Sequence, residues 1–365
     1  MKLSNVNRSI KQASKFFWQS LTYGPLRIAY VGGWHGYGNL GDNALFAAAK
    51  KIFHRCELVE YSGGPALKVL SRFCRRTKSG ALGGGTLINR DDKWLRVAQD
   101  YMDNHEEFFI FGTGVANPSF WTGNPKWKNL LHKWKPILEK CKYVGVRGPM
   151  SAQLLLDAGI KNVEVIGDPV LTFAKDQPRN YDSIVQDSIG LNISNDGHGQ
   201  WGSTEKFQQE YIRLARMFKS FGWKIGWFVL QPNDLSLTRR VAKLSETDNE
   251  IHEIYEDHNL YMDLVGSLST FAGTKLHAVV LATCAYVPSL MLEYRPKCRD
   301  YMKSIGQEHM TIRSDEFHAG KAWEILNNLN VNRQTVSKNL HESIRPLREK
   351  QKTKAEELMN NIVGQ

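Results

Sequence analysis

The sequence is poor in several features, and each shortage excludes something. It has five cysteines in 365 residues, an odd number with no Cys-x-x-Cys pair. That spacing excludes a disulfide framework and a cysteine-built zinc site, and it predicts a reducing, cytoplasmic setting. No apolar run reaches the length that a bilayer requires. The first thirty residues have neither a long apolar core nor a cleavage pattern, so a secretory leader is not expected. Solenoid repeats and low-complexity tracts are missing. Neither the Walker A spacing nor the dinucleotide fingerprint occurs, and there is no nucleic-acid recognition module of the usual kinds.

What is present is a globular composition, 42% hydrophobic and 23% charged, on a chain long enough for two domains. A formal net charge of +11 points to acidic partners such as phosphorylated small molecules or anionic lipid. Part of that excess lies at the front, where Lys2, Arg8, Lys11 and Lys15 have no acidic neighbour. Leu3, Val6, Ile10, Ala13, Phe17 and Leu21 recur there at helical spacing. Residues 1–26 therefore read as a basic amphipathic segment. Such a helix lies on an anionic membrane surface or docks on its own protein.

From Arg27 onward, short apolar runs alternate with helical periods, the pattern of an α/β protein. Arg27–Val31 reads as a strand, Gly32 to Asp42 as a glycine loop, and Asn43 to Phe53 as a helix capped by Asp42 or Asn43. Further strands are expected at 57–60, 80–82, 108–111, 143–146 and 162–166. Gly83-Gly84-Gly85 and Gly112-Thr113-Gly114 close two of them. Glycines at strand carboxyl ends let a ligand approach the backbone, which makes Gly83, Gly84 and Gly114 candidate binding positions. Arg147 ends another strand. Its fork suits a carboxylate or phosphate, and would equally tie a loop to a helix.

A polar stretch near 176–187 reads as a linker, and a second α/β series follows. Asp234 falls just beyond a buried strand, where it is either a working carboxylate or a helix cap. The expected divisions are 1–26, 27–180, 187–330 and a helical tail at 331–365 with a bend at Pro346. The most informative stretch is Gly273-Thr274-Lys275-Leu276-His277-Ala278. An apolar, alanine-rich helix follows a tight turn there. Its first turn holds Lys275, Leu276 and His277, where unpaired N–H groups and the helix dipole favour an anion. A histidine in that position also serves as a cap or a packed residue.

The stretch continues through the strand Pro288–Leu292 to Tyr294-Arg295-Pro296-Lys297. With Gly38-Asn39-Leu40-Gly41-Asp42, the glycine turns and the Val146-Arg147 string, the sequence resembles the polysaccharide pyruvyl transferase family. Members often carry Arg-Leu-His-Ala where this chain has Lys275-Leu276-His277-Ala278. The resemblance implies two Rossmann-like domains facing a cleft, as in GT-B glycosyltransferases. It also implies transfer of the enolpyruvyl unit of phosphoenolpyruvate to a sugar of a cell-surface polysaccharide or its lipid-linked precursor, giving a pyruvate ketal. On that reading His277 moves a proton, and Asp234 is a base or orienting group. Lys275, Arg147 and Lys297 hold the anions, while Asn39 and Asp42 shape the acceptor's wall of the cleft. Phosphoenolpyruvate is then a co-substrate, with no cofactor or metal expected. The expected location is the cytoplasm, with peripheral contact at the inner membrane face, and a homo-oligomer is compatible with the sequence. Two alternatives fit the same residues: a GT-B glycosyltransferase using a nucleotide-sugar, and a non-catalytic glycan-binding member.

Overall fold

Buried parallel strands read as continuous apolar runs, and the computed structural model has thirteen strands among its described residues, all paired in parallel. It describes residues 27–32, 38–61, 77–103, 107–121, 127–179, 184–194 and 199–363. The basic segment expected at 1–26 and positions 33–37 of the glycine loop lie outside them. The chain divides into two compact units. One takes the described residues of Met1–Gly33, Leu45–Pro169 and Glu349–Gln365; the other takes those of Trp34–Ala44 and Val170–Arg348.

The elements of the amino-terminal half are β1 (Arg27–Val31), α1 (Leu40–Ile52), β2 (Glu57–Glu60), β3 (Thr77–Leu82), β4 (Gly85–Ile88) and α2 (Asp92–Met102). They continue with β5 (Phe108–Val115), α3 (Pro118–Trp121), α4 (Leu131–Lys140), β6 (Tyr143–Val146), α5 (Pro149–Asp157) and β7 (Val163–Val165). The sheet order is β2-β1-β3-β5-β6-β7, with β4 paired to β5, and every pairing is parallel. The strand expected to stop at Gly112 runs on to Val115. Gly112 takes a φ of 76°, and the register with β6 shifts there, so the glycine makes a bulge rather than an end. Local sequence explains the helices too. In α2 the Asp91 carboxylate accepts from Lys93 N at 3.1 Å and caps Trp94, Leu95, Val97, Ala98 and Tyr101 on a buried face.

The second series is β8 (Val185–Asn192), α6 (Thr204–Ser220), β9 (Lys224–Val229), α7 (Leu235–Leu244), β10 (Ile251–Glu253), α8 (His258–Gly266) and β11 (Leu268–Gly273). It closes with α9 (Leu276–Cys284), β12 (Ser289–Glu293), α10 (Pro296–Ser304), β13 (Thr311–Arg313), α11 (Ala319–Val331) and α12 (Arg333–Val363). The parallel order β10-β9-β8-β11-β12-β13 is that of a dinucleotide-binding Rossmann sheet. Its reversal point lies between β8 and β11, and at the carboxyl ends of those strands Asn192 pairs in register with Gly273. Helix α9 is apolar all round and buried from Ala278 to Cys284, which is why its only polar outlet is its first turn.

Two placements differ from the sequence expectation. Residues 38–44, expected with the first domain, belong to the second unit. Leu40 N donates to Leu230 O at 3.0 Å and Asn43 Nδ2 to Tyr255 O at 2.9 Å, bonds that local sequence gives no sign of. The tail is not a separate domain. Helix α12 passes through Pro346 without ending, and from Glu349 it belongs to the first unit. There Ala355, Leu358, Met359 and Ile362 join the core of Ile28, Phe53, Phe109 and Ile166. Gln351 Nε2 donates to the carbonyls of Ile166 and Asp168, each at 2.9 Å.

Candidate active site

At the reversal point of the second sheet, β11 ends at Gly273 and the chain turns through Thr274 into α9. Lys275 is the residue that caps α9, so its backbone is extended and its side chain leaves the helix axis. Its amide donates to Asn192 Oδ1 at 2.9 Å, and Asn192 Nδ2 donates in turn to Phe228 O at 2.9 Å. One asparagine thus ties together β8, β9 and the turn into α9. The Lys275 ammonium donates to Asp234 Oδ2 at 2.8 Å and to Ser194 Oγ at 3.3 Å. Asp234 has no exposed surface, and its other oxygen accepts from Ser194 Oγ at 2.9 Å.

This geometry brings Lys275 and Asp234 together but changes the part each can play. Asp234 was expected as base or orienting group. With one oxygen on Lys275 and the other on Ser194, it is arranged to orient the ammonium. An ammonium has three donors, and two are engaged here, so a third direction is left for a ligand. Asn192 and Ser194 were not singled out from sequence. Their signal is a polar pair at the end of the apolar run Ile189-Gly190-Leu191, where an open α/β sheet places working residues.

His277 occupies the first turn of α9 and is half-buried. The backbone of Gly41 lies against it: a Cβ at position 41 would stand 2.5 Å from His277 Nδ1 and 2.9 Å from its Cβ. Asn39, rather than Asp42 or Asn43, caps α1, because Gly41 N donates to Asn39 Oδ1 at 3.1 Å and Asn43 N to Asn39 O at 3.0 Å. Asn39 Nδ2 donates to Asp42 Oδ2 at 2.9 Å. Asn39 and Asp42 therefore belong to the same unit as His277, and two helix amino termini meet at the imidazole. Lys297 lies in the first turn of α10, its ammonium 4.9 Å from the centre of the Tyr294 ring. Leu276, the first residue of α9, is buried, so its side chain is packing and only its backbone can meet a ligand.

In the first unit the expected binding positions have other demands on them. A Cβ on Gly83 would overlap the Tyr30 ring, and one on Gly84 would overlap Leu45. The triple glycine therefore serves close packing at the carboxyl end of β3. Gly114 makes room for Arg147, whose Nη2 would collide with a Cβ there. Arg147 is 1% exposed, and its fork donates to Gly85 O and Thr86 Oγ1, each at 3.1 Å, with Asp168 at 3.9 Å. An arginine spent in this way holds the turn between β3 and β4. Its burial, which sequence does not reveal, separates it from Lys275 in character.

Among the described residues, all four cysteines are buried, which suits packing rather than nucleophilic attack. Burial pushes Cys298 up to about 11 and Cys141 up to about 12, far from thiolate at neutral pH. Among the described residues, no group of three or more His, Cys, Asp or Glu side chains is arranged for a metal ion. No helix among them is long and apolar enough to cross a membrane.

The family model described as polysaccharide pyruvyl transferase matches residues 39–296, from the cap of α1 to the start of α10. No curated protein matches the chain in sequence. Among solved structures, a UDP-glucosyltransferase from Polygonum tinctorium is similar with a TM-score of 0.54 at 13% identity, covering 94% of this chain and 100% of its own. A glycosyltransferase from Rickettsia africae gives 0.51 at 12% identity, covering 93% and 99%. The UDP-GlcNAc 2-epimerase from Methanocaldococcus jannaschii gives 0.50 at 11%, covering 83% and 93%. These likenesses concern the fold, which is GT-B-like with two Rossmann-like units.

Proposed function

The chain belongs to the polysaccharide pyruvyl transferase family, and from that premise we propose that it moves the enolpyruvyl unit of phosphoenolpyruvate onto a sugar. The acceptor is a polysaccharide or its lipid-linked precursor, and the product is a pyruvate ketal. Family and fold make the chain a transferase of polysaccharide modification; the donor and the ketal are our reading. In that reaction a proton adds to the methylene carbon of the donor, and two sugar hydroxyls bond to its second carbon. The bond from that carbon to the phosphate oxygen breaks. The hydroxyl protons balance the new methyl group and the departing phosphate.

The observation that carries this reading is the grouping at the start of α9. A cation, a helix amino terminus and an imidazole stand within three residues, at the reversal point of a Rossmann sheet. Lys275, aimed by Asp234 and Ser194, takes the phosphate. The N–H groups that open α9 take further negative charge. His277 is the group that transfers the proton, a role suited to an imidazole. Lys297 supplies a second cation from α10. The oxocarbenium-like carbon of the transition state is favoured by the donor's own carboxylate held beside it.

Calorimetry on the full chain tests the donor, with phosphoenolpyruvate set against uridine and guanosine nucleotide-sugars. Binding of phosphoenolpyruvate that weakens in Lys275→Ala supports the reading. Binding of a nucleotide-sugar alone replaces it with glycosyl transfer.

A further inference from the structure

Gly41 is the second residue of α1, and its φ is not among the positive values in the chain. A glycine there is not required by the backbone. What requires it is the neighbour. A Cβ at position 41 would meet Nδ1, Cγ and Cβ of His277 at 2.5, 2.8 and 2.9 Å. Because the third of these is the Cβ of His277 itself, turning the ring about its first side-chain torsion does not relieve the overlap.

Both sides of this contact are anchored. On the side of Gly41, Asn39 accepts the Gly41 amide through Oδ1 and holds Asp42 through Nδ2. Leu40 and Asn43 tie the same turn to Leu230 and Tyr255. On the side of His277, Tyr261 Oη donates to Ala278 O at 3.0 Å, and Asn192 holds the Lys275 amide. A ring between two anchored backbones has few orientations open to it.

We propose that Asn39, Gly41 and Asp42 are positioning residues: they form a clasp whose bare glycine edge sets the orientation of the His277 imidazole. The string Gly-Asn-Leu-Gly-Asp then acts through His277 and not as a wall for the acceptor. The inference rests on the reading of His277 as the group that transfers the proton, but its test does not depend on the donor. Removing the Asn39 side chain frees the Gly41 amide and the Asp42 carboxylate. A methyl at position 41 pushes the ring aside. Asp42→Asn keeps an acceptor for Asn39 Nδ2 and preserves the clasp.

The test is long-range proton–nitrogen NMR of the imidazoles in the full chain, with the His277 signals identified by their loss in His277→Gln. The expected result is that Gly41→Ala and Asn39→Ala both shift the His277 ring signals. The other ten histidines and the far-ultraviolet dichroism stay as they were, and Asp42→Asn retains the native His277 signals. In pyruvyl transfer the same two variants lower kcat on the order of 100-fold with little change in KM, the scale set by misplacing a reacting group by about 1 Å. Unmoved His277 signals in folded Gly41→Ala and Asn39→Ala overturn the proposal. Shifted signals in a protein that transfers nothing from phosphoenolpyruvate leave the clasp standing and remove the reaction.

Discussion

The Lys275 ammonium stands 2.8 Å from Asp234 Oδ2, on a carboxylate with no solvent exposure. The pair joins two turns of the second unit, one after β9 and one after β11. Removing one partner of such a pair leaves the other charge uncompensated, which costs about 3 kcal/mol. Lys275→Ala should lower the urea midpoint accordingly, and Lys275→Ala with Asp234→Ala should recover much of the loss. Lys275→Arg keeps a cation on Asp234 and should cost less than Lys275→Ala. Equal midpoints for native and Lys275→Ala proteins would show that the pair is not formed in solution.

Arg147 makes a different prediction because it is buried with its fork on Gly85 and Thr86. Arg147→Ala should destabilise the first unit by about 3 kcal/mol, since Asp168 is left without its cation. Arg147→Lys keeps the charge but not the two-pronged geometry, and should lose an intermediate amount. Chemical denaturation followed by circular dichroism reads both. A variant with native stability and abolished donor binding would return Arg147 to the ligand.

Glu293 sets a pH dependence. It is buried at the end of β12, and burial raises its carboxyl above the usual range against the pull of Arg299. The unfolded chain therefore ionises first as pH rises, and the folded state holds the extra proton. Its contribution to stability is full below the ordinary carboxylate range. That contribution falls as pH rises from there to the raised value. Glu293→Gln should abolish this slope, so the native protein should lose melting temperature relative to Glu293→Gln across that window. A difference that stays constant with pH counts against it.

Much of the fold was legible because buried parallel strands are apolar runs closed by glycine, and most boundaries fall within a few residues of where the sequence puts them. Strands β4 and β10 were not legible, since Gly85-Thr86-Leu87-Ile88 opens inside the triple-glycine turn and Ile251-His252-Glu253 carries one apolar residue. The glycines were visible but their purpose was not. A glycine that opens a path for ligand and one that admits Tyr30 or Arg147 look alike until the neighbour is known. His277 and Lys275 could be read from the start of α9. Their supports could not: Asp234 is 41 residues from Lys275, and Asn192 is 83. Arg147 pointed to the ligand by its place at a strand end, and only its burial assigns it to the turn.

The most direct test of the account follows the reaction itself with full-length protein, phosphoenolpyruvate and a polysaccharide or lipid-linked oligosaccharide acceptor. Phosphorus NMR reads inorganic phosphate, and proton NMR reads the ketal methyl group. The account predicts equal amounts of the two, both dependent on acceptor and both lost in His277→Gln. Phosphate release without a ketal methyl, or transfer from a nucleotide-sugar with phosphoenolpyruvate untouched, would contradict it.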